Sequence, residues 1–357
     1  MRLERRSETS AAWTIGAPFA AIGFTLLVAS LLVMWAGQPV AQTYGAIFEG
    51  GFGSVFAWSE TLTRATPLVL TGLAAAVAFR AKLFNIGAEG QLYAGALVAV
   101  LIGGMHNGAG LHESLGIPLP LLLVLMLLGS SAAGALLLLG PALLKARLQV
   151  DEVVTTLLLN FIVLLGVGAL LDGAMKDPTA MGWPQSIALV SELELSKLIA
   201  QTRLHSGLLI ACALAVIMWI ILRYTVLGFQ IRATGANARA AAFAGVPVTR
   251  TVVLTALLSG ALAGLAGAIE VAGRTSYVTI DMSPGYGYSG IVVAMLAGLY
   301  PLGVVAASIF VAGMLVGADS MSRAVGVPTY IADVIVAASL ISMLVAVMLA
   351  QYRLRWR

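Results

Sequence analysis

The chain of 357 residues is 60% hydrophobic and only 10% charged, against roughly 45–50% and about 25% in soluble domains, which excludes a water-soluble enzyme and makes lipid the main solvent. The net charge of +4 is no argument for a nucleic-acid partner, because a membrane chain retains Lys and Arg on its cytoplasmic side. The lone Cys212 excludes an intrachain disulfide.

Arg2, Arg5 and Arg6 precede an apolar stretch from Ala17 to Trp35. That stretch exceeds the roughly 7–15 residues of a secretory signal core and lacks a cleavage site, so it reads as a retained first helix. Further apolar runs follow at Thr66 to Phe79, Ile86 to Gly104, Pro118 to Leu144, Val153 to Leu171, Ser206 to Leu222, Val252 to Val271, Tyr288 to Leu299, Leu302 to Val316 and Ile331 to Ala350. These predict an all-α polytopic membrane protein of about ten helices, with eight as a lower bound. The second and eighth runs fall short of the roughly 17 residues that cross unaided, and must be tilted, extended or discontinuous. The chain divides into a cytoplasmic segment 1–16, a transmembrane domain 17–350 and a basic cytoplasmic tail 351–357.

Basic residues orient the spans. With ten spans and the N-terminus inside, only Arg64, Lys176, Lys197, Arg203, Arg274 and Arg323 fall outside, leaving fourteen of the twenty Lys and Arg on the cytoplasmic face. Both termini are then cytoplasmic, in a bacterial inner (cytoplasmic) membrane. Two connections are long enough to hold structure. The outer one, about 172–205, contains Ser191 to Ala200, where Ser191 could cap a short surface helix; it offers an external docking surface. The inner one, about 223–250, carries four arginines and no acid.

That inner loop contains "TGANARAAAFAGVP" (Thr234 to Pro247). Asn237 is placed as N-cap, Ala238 to Ala244 as a short helix, Gly245 at the position just past its end and Pro247 as the stop. Two turns are marginal alone. The alanine-rich side with Phe243 projecting either enters a groove in another protein or packs beneath its own bundle.

A polar cluster opens the third span: Asn85, Glu89 and Gln91 sit among glycines in "LFNIGAEGQLYAGA". A carboxylate in lipid costs about 2.5–3.5 kcal/mol at the bilayer centre, so Glu89 must face the bundle interior or water, as a brace or as a gate. Asn160 lies midway along the fifth span and is the residue expected to meet a transported substrate; Glu270 and Asp333 fall near the outer ends of the seventh and tenth. Gly260, Gly264 and Gly267 permit close helix crossing. Gly285, Gly287 and Gly290 alternate with Tyr286 and Tyr288 before a short apolar run, the pattern of a discontinuous helix at a binding site. The two glycine-bearing motifs suggest an inverted repeat of spans two to five and seven to ten.

No nucleotide site is present in the sequence: Lys82, Lys145, Lys176 and Lys197 are followed by Leu, Ala, Asp and Leu, not by the Ser or Thr of a phosphate loop. The three histidines, His106, His112 and His205, have no metal-ligand spacing and fall in predicted loops. No metal and no resident cofactor are expected.

The runs "TPLVLTGLAAAVAFRAKLFNIGAEGQLYAGAL", "LLKARLQVDEVVTTLLLNFI", "TVLGFQIRATGANARAAAFAGV" and "GYGYSGIVVAMLAGLYPLGVV" closely resemble the permease subunits of bacterial ABC importers for nucleosides and simple sugars, within the ribose, nucleoside and branched-chain amino acid type. "LFNIGAEGQ" points to the nucleoside branch. The resemblance implies ten spans, a homo- or heterodimer with a second permease subunit, cytoplasmic ABC ATPase subunits that bind ATP and Mg, and an extracytoplasmic substrate-binding lipoprotein. It makes the inner helix, with Gly235, Asn237, Arg239, Phe243 and Gly245, the ATPase coupling segment. Ser289 and Leu299-Tyr300 stand where the family carries an acid and an asparagine pair, so the resemblance assigns no ligand contacts. The rival reading is an ion-coupled secondary transporter using Glu89, Glu270 or Asp333.

Overall fold

The computed structural model describes residues 2–5, 23, 26–106, 109–326, 328, 330–331, 334, 336–338, 341–342, 345 and 352–355. Helices dominate: α1 Leu26–Trp35, α2 Val40–Phe52, α3 Val55–Arg80, α4 Ala88–Gly103, α5 Leu111–Leu115, α6 Leu119–Leu148, α7 Glu152–Asp172, α8 Gly207–Tyr224, α9 Val226–Ala236, α10 Ala238–Phe243, α11 Val248–Glu270, α12 Tyr286–Leu296 and α13 Pro301–Val325. Short antiparallel pairings accompany them among the described residues, Arg2–Arg5 with Tyr352–Arg355 and Met105–His106 with Ala109–Gly110. Among the described residues six helices are long and apolar enough to span, α1 with α2 forms a bent pair at 117°, and α4 and α12 are shorter apolar helices. Ten spans were expected; most of the tenth run, Asp333 included, lies outside the described residues.

The two short runs resolve differently. The second extends into its flank as the 26-residue α3. The eighth stays short: α12 has 11 residues, opening at Gly285 in the left-handed region (φ 83°). Helix α2 was not foreseen, because its apolar content is interrupted by Gly and polar residues; Gly37 (φ 73°) and Pro39 make the turn before it.

Packing divides the chain into two units, one comprising residues up to Thr61 and from Ile309 onward, the other Leu62–Ser308. In the first, Ser30 and Tyr44 hydroxyls meet at 2.9 Å between α1 and α2. Gly51 of α2 lies against Gly313 of α13, where an added Cβ would come within 2.6 Å of the Gly313 carbonyl oxygen.

In the second unit, α11 is the central helix, crossing α6 and α4. A Cβ on Gly134 would sit 2.8 Å from Gly264 Cα, one on Gly95 would sit 2.7 Å from it, and one on Gly267 would sit 2.8 Å from Ala96 N. Backbone meets backbone there, so the glycine spacing in α11 serves close crossing. Two thirds of the most apolar window of α11 is buried, 67%, against 17% in α7 and 28% in α8; α7 and α8 present their apolar faces outward, as lipid-facing helices do.

The connection after α7 is ordered as a cover. Its backbone bonds Ser186 N to Val278 O (3.0 Å), Leu189 N to Ser276 O (2.7 Å), Val190 N to Gly103 O (2.9 Å) and Leu195 N to Ala272 O (2.8 Å). The helix expected at Ser191 is only a single 3-10 turn, Ser191–Leu193, preceded by Val190 and with no side-chain cap. The backbone on either side of it is committed to Gly103 at the end of α4 and to Ala272 in the turn that continues α11, which leaves no length for a helix.

Candidate functional site

Between α3 and α4 the chain leaves the helical path, with Lys82 at φ 54°. This unwound backbone would be ruinous in lipid unless its polar groups found partners. One stripe of α7 supplies them. Glu152 Oε1 accepts from Phe84 N (3.1 Å), Thr156 Oγ1 from Ile86 N (3.3 Å), and Asn160 Oδ1 from Gly90 N (2.8 Å), while Asn160 Nδ2 donates to Ile86 O (2.7 Å). Glu152, Thr156 and Asn160 are spaced four apart, so they share one helix face. Lys145 closes the lower end, donating to Glu152 and to Lys82 O.

Asn85 and Gln91 form a reciprocal amide pair, each donating to the other at 2.9 Å, and both are fully buried. Asn85 also donates to Ser259 Oγ of α11 (3.0 Å), whose hydroxyl donates to Ala74 O of α3 (2.8 Å). One polar chain therefore ties α3, α4 and α11 around the break.

Glu89, 3% exposed, accepts from Gly287 N at 2.6 Å. Glu89 and Gly287 are each the second residue of their helices, α4 and α12. Two helix N-termini thus converge on one carboxylate, where both dipoles favour negative charge. A Cβ at Gly287 would lie 2.6 Å from Glu89 Cα, so the approach itself requires glycine. Thr71 Oγ1 donates to Tyr286 O (2.9 Å), and Tyr288 OH reaches Asn160 Nδ2 (3.2 Å). Tyr286 is fully buried and Tyr288 is 37% exposed.

The structure therefore gathers all six residues expected on a substrate path, Asn85, Glu89, Gln91, Asn160, Tyr286 and Tyr288, around the facing starts of α4 and α12. It also adds Glu152, Thr156, Ser259 and Thr71. The legible signal for the first two was a polar stripe at four-residue spacing on an otherwise apolar helix; Ser259 and Thr71 carried none.

A second buried polar group lies at the end of α11, where a π turn, Val271–Thr275, continues the helix. Glu270 pairs with Arg274 across it, and Arg274 also reaches Tyr286 OH at 3.4 Å. His205, expected in an outer loop, lies in the connection before α8 and is fully buried there; its ring lies against Gly207 and Gly273, and Nδ1 accepts from Gly207 N at 3.2 Å. Burial, aided by the Arg274 charge, lowers the imidazole to about 4. Among the described residues no group of three His, Cys, Asp or Glu could hold a metal.

At the opposite end of α11, Asn237 caps α10 with its side chain, accepting from Arg239 N (3.0 Å) and Ala240 N (3.1 Å). Gly245 takes the left-handed conformation (φ 85°) just past the helix. Gly235 packs directly on the Arg80 carbonyl. Ala241 faces inward at 5% exposure, while Phe243 projects at 97% and Arg239 is exposed. A cavity of about 510 Å³ lies beside α10, with Lys82, Lys145, Asn237 and Arg239 on its wall.

Comparison with known proteins places these features in a family. Residues 57–345 match the family model described as branched-chain amino acid transport system / permease component. The guanosine ABC transporter permease protein NupP of Bacillus subtilis is 37% identical over 322 residues, covering 90% of each chain. The glucose ABC transporter permease protein TsgB13 of Haloferax volcanii is 32% identical, with 99% of this chain and 93% of the relative covered. The nucleoside ABC transporter permease protein NupB of Lactococcus lactis is 32% identical, covering 90% and 88%.

Proposed function

The chain belongs to the branched-chain amino acid transport system / permease component family, and from that premise we propose that this membrane-spanning ABC importer subunit carries a nucleoside. The observation that carries the substrate class is its similarity to guanosine and nucleoside permeases over nine tenths of their length. The facing starts of α4 and α12 form the gate. Neutral amides at Asn85, Gln91 and Asn160, with Tyr288 at the exposed side, suit an uncharged solute rich in hydrogen-bonding groups. Glu89 holds the gate closed by bonding Gly287 N, and substrate passage requires that bond to be exchanged.

In this reading α10 is the coupling helix, presenting Phe243 and Arg239 to a cytoplasmic ATPase that binds ATP and Mg, and the termini are cytoplasmic. The cover after α7 receives an extracytoplasmic binding lipoprotein, and a second permease, identical or paralogous, completes the path. The ion-coupled alternative has no support from these relatives. Of its three carboxylates, Glu89 and Glu270 are engaged by Gly287 N and Arg274, and Asp333 lies outside the described residues.

Reconstitution in proteoliposomes with ATPase, partner permease and binding protein tests the proposal. Labelled guanosine accumulates only with ATP, and unlabelled nucleosides compete where glucose does not. Preferential glucose uptake overturns the substrate class; uptake by the chain alone on an ion gradient overturns the importer mechanism.

A further inference from the structure

Arg80, Arg223 and Arg232 surround a cavity of about 300 Å³, with Trp219 and Tyr300 on its wall. Arg80 is the last residue of α3, Arg223 the last but one of α8, and Pro301 beside Tyr300 opens α13. The cavity therefore lies where three membrane helices end, at the depth of lipid headgroups. Among the described residues no carboxylate pairs with any of the three arginines. Arg80 Nε donates to Leu299 O (2.9 Å), leaving its terminal nitrogens without a described acceptor, and Arg80 and Arg232 lie close enough to repel each other.

Three guanidinium groups converge on one cavity without a paired carboxylate among the described residues, and guanidinium groups match phosphate oxygens in bidentate geometry. A further donor is waiting: Trp219 Nε1 is buried with no hydrogen-bond partner, a cost unless a ligand supplies the acceptor. The surroundings say where the anion comes from. Ile217, Ile220, Tyr224, Val226 and Phe229, on α8 and the start of α9, are exposed, and Trp219 stacks edge-on with Tyr224 at 5.5 Å, an arrangement typical of the membrane interface. A soluble phosphate would leave this apolar rim uncovered; acyl chains cover it.

We propose that this cavity is a binding site for the phosphate of an anionic phospholipid, separate from the transport path. The guanidinium groups hold the phosphate, Trp219 Nε1 donates to it or to the adjoining ester, and the acyl chains lie along α8.

Purified full-length permease, delipidated in detergent, is titrated with phosphatidylglycerol, phosphatidylcholine or inorganic phosphate, with bound lipid counted by native mass spectrometry and the thermal midpoint followed in parallel. Arg223 and Arg232 are exposed, so the Arg223→Gln/Arg232→Gln pair removes two charges without opening the core, at the cost of the Arg223 contact over the Tyr224 ring; Trp219→Phe removes the indole N–H donor and keeps an aromatic side chain, smaller by one ring. One phosphatidylglycerol should bind the wild type, about tenfold more weakly in the arginine double variant and measurably more weakly in Trp219→Phe. Should the double variant fail to fold, Trp219→Phe decides alone. Equal phosphatidylglycerol affinity in wild type and variant overturns the proposal. So does stabilisation by inorganic phosphate equal to that by lipid, which marks a soluble-anion site, and so does loss of ATPase co-purification with lipid affinity unchanged, which marks a protein-docking surface.

Discussion

Gly287 N donates to the Glu89 carboxylate at 2.6 Å across 198 residues of sequence. This bond joins the first turns of two short helices whose N-terminal dipoles point at the same group. A hydrogen bond to a carboxylate that is only 3% exposed contributes about 1.5–3 kcal/mol, and removing the acceptor leaves a buried donor. Glu89→Ala should lower the thermal midpoint and abolish uptake, whereas Glu89→Gln, which keeps an acceptor, should retain most of the stability. Gly287→Ala should destabilise by about 1–3 kcal/mol, and Gly303→Ala, where a Cβ meets nothing nearer than 3.4 Å, should be neutral. Unfolding of the four variants in detergent checks this; an unchanged Gly287→Ala midpoint removes the close-approach argument.

Asn160 clasps the break and the helix start that follows it with both of its amide atoms, through Ile86 O before α4 and Gly90 N in its first turn. Asn160→Leu therefore leaves a buried donor and a buried acceptor unpaired, at about 1–3 kcal/mol each. The expected outcome is a strong loss of stability, with Phe161→Leu, on the outward face at 55% exposure, within about 0.5 kcal/mol of wild type. An Asn160→Leu midpoint equal to that of wild type would remove the clasp argument, whatever happens to substrate affinity.

His205 provides a pH dependence with a definite sign. Burial holds its imidazole near 4, below the 6.5 of an unfolded chain, so between those values the unfolded state binds the extra proton. The contribution is fully present above pH 6.5 and is lost as pH falls toward 4, reaching at most about 3 kcal/mol. The groups facing the ring include Arg274, whose charge acts in the same direction. Thermal midpoints measured from pH 7.5 to 4.5 should fall more steeply for wild type than for His205→Gln; parallel curves would remove the assignment.

The exposed Phe243 and Arg239 on α10 predict a recruitment defect. Phe243→Asp with Arg239→Glu alters no internal contact of a side chain that is 97% exposed, so membrane insertion and midpoint should stay at wild-type values while the ATPase ceases to co-purify. Normal co-purification would show that α10 is not the docking element.

Local chemistry was legible. The cap at Asn237, the left-handed Gly245 and the stop at Pro247 act over a few residues, and the structure holds α10 in the place those residues indicated. Gly264 could be recognised as a crossing point because small residues at helical spacing suffice for close approach. His205 could not be located, since nothing adjacent in sequence tells of Gly273 closing over its ring, and α2 was missed because Pro39 and Gly37 turn the chain before an interrupted apolar run.

By itself the sequence determined that lipid is the solvent, roughly where the spans lie, and that the polar cluster opening the third span, Asn85, Glu89 and Gln91, has to face the bundle interior or water. Only the tertiary structure decided what satisfies it. Glu152, Thr156 and Asn160 meet that stretch from some 70 residues away, and Glu89 finds its donor in a different helix altogether. Burial forces every backbone polar group to find a partner, but which distant side chain serves depends on how the helices cross, and that crossing is a property of the packed bundle.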